Sequence, residues 1–202
     1  MRLRIDLKIF IFLTLFYFTN QIRIYLIIML FCVIHEIGHI ITGSLLKMKT
    51  EKIEIMPFGL SASFYMNFND KNFKIKEIIV SLAGPITSLA LTILCSNINL
   101  RYITIEEAVY SNILILLFNL IPIYPLDGGR IIKGILHIKL GSIRTEEIMD
   151  KISYITITIL TIISSVAVYY YKNFAIFFTC IFLWVIVLKE KNDKTLAILQ
   201  GK

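Results

Sequence analysis

Six nearly uninterrupted apolar stretches, at about 5–19, 22–46, 77–96, 104–121, 152–171 and 174–188, dominate what this 202-residue chain can fold into. A helix needs about 20 apolar residues to cross the hydrocarbon core of a bilayer. Four of the stretches approach or exceed that length, and the first and last are short for a full crossing. The spacing predicts an all-α membrane protein, a polytopic bundle of about six transmembrane helices, filling residues 1–202 as a single transmembrane domain. Composition agrees: 57% of residues are hydrophobic, where soluble domains hold roughly 45–50%.

The net charge of +7 does not indicate a nucleic-acid partner, because the Lys and Arg residues are scattered between apolar runs and form no basic stripe. They sort by side of the membrane instead. With the N-terminus in the cytoplasm, all of them except Arg23, Arg101 and Lys172 fall in cytoplasmic segments, so both termini are expected there. The protein is then a multi-pass component of the cell membrane, with the lipid bilayer as its surroundings. Cys32, Cys95 and Cys180 stand far apart inside apolar runs and read as small buried hydrophobes. Between the second and third runs, the segment from Glu51 to Ile75 partly alternates apolar and polar residues and carries Pro57 and Gly59. It is expected to form a short β-like hairpin or a re-entrant loop.

Ionisable residues inside a membrane helix are costly and functional by default, and the second run holds three within five positions: His35, Glu36 and His39. At 3.6 residues per turn, His35 and His39 lie about 40° apart around the helix and one turn apart along it, so both imidazoles can reach one ion. An H-E-x-x-H pattern of this kind suits zinc, which takes neutral imidazole in tetrahedral geometry and keeps a position open for water. Glu36 is placed to take a proton from that water.

A third ligand must come from elsewhere. The best candidate is Asp127 in Asn119-Leu-Ile-Pro122-Ile-Tyr-Pro125-Leu-Asp127-Gly128-Gly129, where the prolines stop the fourth helix and expose backbone beside a carboxylate. The competing reading is a turn at the membrane surface. Asn119 can position a substrate backbone or an oxyanion, or make a packing hydrogen bond between helices. His137 reads as an interfacial histidine, Glu106 and Glu107 as charges opening a helix, and Tyr169-Tyr170-Tyr171 before Lys172 as an aromatic belt.

His35-Glu36-Ile37-Gly38-His39 together with Asn119-x-x-Pro122-x-x-Pro125-x-Asp127-Gly128 resembles the site-2 protease family of intramembrane zinc metalloproteases. The Asn, Pro, Pro, Asp spacing is similar to the branch of stage IV sporulation proteases, which process a sigma-factor precursor. The resemblance implies one zinc ion held by His35, His39 and Asp127, Glu36 as general base, and Asn119, Pro122 and Pro125 holding the substrate. It implies a membrane-associated regulatory protein as substrate and inhibitory membrane proteins as partners. Ser81-Leu-Ala83-Gly84-Pro85 also looks like a small-residue motif of this family, read here as helix packing. Several members of the branch carry a soluble nucleotide-sensing domain after the last span, and none is expected in this chain. Two other functions compete: a metal transporter using the same ligands, which would need no general base, and an inactive scaffold, which should have lost a ligand or the base.

Overall fold

The structure, a computed structural model, describes residues 2–5, 8–18, 20–48, 50–56, 59–64, 72–98, 101–171 and 175–199. Contacts divide the chain into two compact units, Met1–Leu120 and Ile121–Lys202.

The first unit holds, among the described residues, β1 (Arg2–Ile5), α1 (Lys8–Phe18), α2 (Ile22–Leu45), β2 (Thr50–Met56), β3 (Gly59–Phe64), α3 (Phe73–Cys95) and α4 (Ile105–Asn119). The segment after α2 forms the hairpin: β2 and β3 pair antiparallel, with Ile53 opposite Ala62 and Met56 opposite Gly59. Pro57, Phe58 and residues 65–71 lie outside the described residues. β1 joins β2 in parallel, Leu3 opposite Ile53, so the chain opens with a strand that the apolar run from residue 5 did not foretell. A four-residue strand has no pattern of its own and exists only through its partner.

α2 packs against α3, α4 and β3. Its buried residues Ile27, Phe31, His35, His39 and Gly43 recur every four positions, the stripe of a helix with one inward face. Ile27, Phe31 and Cys32 meet Cys95, Ala108 and Ile115 in one apolar cluster. α4 opens on a capping box in which Thr104 Oγ1 accepts from the Glu107 N–H and the Glu107 carboxylate accepts from the Thr104 N–H, the reciprocal pairing that satisfies two otherwise orphaned donors. Glu107 also meets Arg23 Nε at 3.0 Å. Cys32, Cys95 and Cys180 are buried free thiols, as expected.

In the second unit, α5 (Asp127–Leu140) is followed after Gly141 alone by α6 (Ser142–Tyr171), and then by α7 (Ala175–Leu199). Gly141 takes φ 78° and ψ 176°, an extended positive-φ conformation open essentially to glycine alone. Arg130, Lys133, Lys139, Arg144 and Lys151, which the charge pattern places between two spans, all lie in α5 and α6. α6 packs on α5 and α7, with Met149, Ile157, Leu183 and Val187 buried and Trp184 Nε1 donating to Thr161 Oγ1 at 3.0 Å.

Among the described residues, three helices are long and apolar enough to cross a membrane: Ile22–Leu45, Phe73–Cys95 and Ser142–Tyr170. α1, with 11 residues, and α4, with 15, fall short of the roughly 20 needed. The outward faces are apolar while the inward faces hold polar groups. Leu26, Leu30, Ile37, Ile41, Ile86, Leu89, Ile93, Ile159 and Ile163 are exposed, whereas His35, His39, Ser88, Ser111 and Asn112 are buried. That arrangement belongs to a protein solvated by lipid.

Candidate metal centre

His35 and His39 project from the inward face of α2, 2% and 4% exposed. Their Nε2 atoms stand 3.2 Å apart, and each Nδ1 is engaged by α3. The carbonyl oxygen of Val80 lies 2.6 Å from His39 Nδ1, and Ser88 Oγ lies 2.8 Å from His35 Nδ1. His35 faces the later residue of α3 and His39 the earlier one, so the two helices run antiparallel. A carbonyl only accepts, so His39 Nδ1 carries the proton, and the neutral ring then presents a lone pair at Nε2. With the same tautomer in His35, both buried rings turn an Nε2 lone pair toward one point, as two ligands of a shared cation do. Two nitrogens each about 2.0–2.1 Å from a tetrahedral zinc would stand about 3.3 Å apart, so the observed spacing fits this metal.

Gly84 lies midway between Val80 and Ser88 on the same face of α3. A Cβ at Gly84 would collide with Nε2 of both histidines, so the glycine keeps open the space in front of the ligand atoms. Gly38, inside the H-E-x-x-H motif, serves the packing: a Cβ there would run into the side chain of Thr87 and lie 3.3 Å from the Ala83 carbonyl. The close approach of α2 to α3, which brings Val80 and Ser88 within hydrogen-bond reach of the histidines, depends on it. Sequence reading assigned the stretch around Gly84 to packing and overlooked Val80 and Ser88. The available signal was the four-residue spacing of Val80, Gly84 and Ser88 on an apolar helix.

Glu36 follows His35 directly and is half-buried. Asn119 ends α4, and its Nδ2 donates to the Ile115 carbonyl at 3.1 Å, a bond within its own helix. In the second unit, the bends after Leu120 run through Pro122 and Pro125 to α5. Asp127 is the first residue of α5, buried at 6% exposure, where the helix N-terminus favours a carboxylate. Lys133, one turn and a half further on, lies 4.1 Å from the centre of the Tyr124 ring and 2.7 Å from Glu146 Oε1, tying the proline-containing bend to α5 and α6. Glu106 and Glu107 open α4, as read, and His137 stands in the last turn of α5. Tyr169 and Tyr170 are exposed; Lys172 lies outside the described residues.

Residues 23–104 and 101–163 match the profile of Peptidase family M50, and the chain belongs to that family, the site-2 proteases, which are zinc metallopeptidases of membranes. It is therefore a membrane protein whose cofactor is zinc. Among individual relatives, a zinc metalloprotease of Methanocaldococcus jannaschii is 31% identical over 136 residues, 64% of this chain and 39% of that protein. Stage IV sporulation protein FB of Bacillus subtilis is 29% identical over 118 residues, 56% of this chain and 40% of that protein. The matched region thus spans about two fifths of each of these relatives. The fold is similar to that of the site-2 protease from Methanocaldococcus jannaschii, with a TM-score of 0.72 at 24% identity, covering 92% of this chain and 88% of that one.

Proposed function

We propose that this chain is a zinc-dependent intramembrane endopeptidase that cleaves a membrane-associated regulatory protein, with a sporulation sigma-factor precursor as its substrate. The observation that carries the reading is the convergence of His35 and His39 Nε2 at 3.2 Å, one residue from Glu36. We assign the zinc to the buried imidazoles of His35 and His39 and, from the motif that ends in Asp127, to that carboxylate as the third ligand. When bound, the metal supplies Lewis acidity toward the scissile carbonyl and the attacking water. Glu36 accepts a proton from that water as its oxygen bonds to the carbonyl carbon. It returns the proton to the amide nitrogen as the C–N bond breaks. Asn119, Pro122 and Pro125 hold the substrate strand, and inhibitory membrane proteins act as partners.

The charge distribution supports cytoplasmic termini and six membrane-embedded helical segments in one metalloprotease domain over residues 1–202, with α1, α4 and α7 joining the three longer spans. It also supports a site nearer the cytoplasmic side. A transporter has no use for Glu36, and no observation favours that reading. Co-expression with candidate precursors tests the proposal: a shortened product that depends on His35 and on zinc is expected. A precursor left intact by wild-type enzyme with a full complement of zinc would rule out that substrate, and zinc-independent cleavage would rule out the mechanism.

A further inference from the structure

We propose that Ser88 is a positioning residue for the metal centre: its hydroxyl accepts from His35 Nδ1–H, fixing the tautomer and the ring plane that present Nε2 to zinc. The inference rests on the zinc reading above and adds an outer partner that the motif does not contain. Three observations on one face of α3 carry it. Ser88 is fully buried and its Oγ is 2.8 Å from His35 Nδ1. Two turns earlier the Val80 carbonyl plays the same part for His39 at 2.6 Å. Between them, Gly84 leaves the space before both Nε2 atoms open. α3 is therefore a template for both imidazoles, with one anchor made of backbone and the other of a side chain. The backbone anchor survives any substitution at position 80, whereas the side-chain anchor is lost with one atom. Partners of this kind orient ligating histidines and raise their basicity.

The test measures zinc affinity by chelator competition on the purified full chain, for wild type, Ser88→Ala, Ser88→Cys, His35→Ala and Ser164→Ala, the last removing another fully buried hydroxyl. Cobalt-substituted protein supplies a ligand-field spectrum, and thermal unfolding of the zinc-free protein reports folding. Ser88→Ala is expected to weaken zinc binding about 10–100-fold and shift the cobalt bands, beyond any loss explained by a lower zinc-free melting temperature from the buried Nδ1–H left without its acceptor. Ser88→Cys, whose sulfur is a weak acceptor, should fall between, and Ser164→Ala should match wild type. Affinity in Ser88→Ala within about twofold of wild type, or a loss that only tracks a lower zinc-free melting temperature, overturns the proposal. If Ser88→Ala does not fold, wild-type affinity in Ser88→Cys does so. Unaltered affinity in His35→Ala would instead remove the zinc reading on which the inference stands.

Discussion

The Val80 carbonyl oxygen and His39 Nδ1, 2.6 Å apart, settle which nitrogen of that ring carries the proton. The bond crosses from α3 to α2, so the metal-facing nitrogen is oriented by the packing of two membrane helices as well as by the helix that carries it. The chemistry of the site therefore depends on how closely α2 and α3 approach.

Gly38→Ala tests that dependence. The added methyl meets Thr87 Oγ1, which is held in place by its hydrogen bond to the Ala83 carbonyl at 2.8 Å. Overpacking of this sort costs about 1–3 kcal/mol, read as a lower unfolding midpoint in detergent. Adding Thr87→Ala removes the obstructing atom and should recover most of the loss; strict additivity of the two substitutions would place the strain elsewhere.

Gly84→Ala should act on the metal directly. Its methyl occupies the space before both Nε2 atoms, so zinc per chain should fall at least about tenfold by elemental analysis. Normal zinc content in a folded Gly84→Ala protein would show that the ligand atoms do not converge there.

Much of this site was legible in the sequence because the four-residue spacing of His35 and His39 is local, and helix geometry alone turns it into a shared face. The end of α4 could be read from Pro122 and Pro125 for the same reason. Ser88 and Val80 could not be assigned, because their role depends on the register of α3 against α2, which arises from contacts such as Gly38 with Thr87. α5 is not legible from apolar periodicity because Arg130, Lys133 and Lys139 interrupt it, although Asp127 and Gly141 mark its ends. β1 was hidden because a short strand is defined by its neighbour.

Asp127→Ala should reduce both zinc content and cleavage, since two imidazoles leave an incomplete site. Elemental analysis beside a cleavage assay checks it, and full zinc occupancy in this variant would move the third ligand to another residue.

Cleavage should also depend on the substrate's own secondary structure. A helix hides its carbonyls in i to i−4 bonds, so a Pro or Gly introduced at the cleavage region of a confirmed substrate should speed cutting. Mapping of product ends should place the cut toward the cytoplasmic side. Efficient cleavage of a stably helical site on the outer side would contradict the proposed topology.

The most direct measurement is made on Glu36→Gln, with zinc content and cleavage determined on the same preparation. The amide cannot accept a proton from water, while His35, His39 and Asp127 are untouched. About one zinc per chain should therefore remain, with cleavage reduced by at least about 100-fold. Undiminished cleavage by the zinc-loaded variant would contradict the role assigned to Glu36 and with it the proposed mechanism.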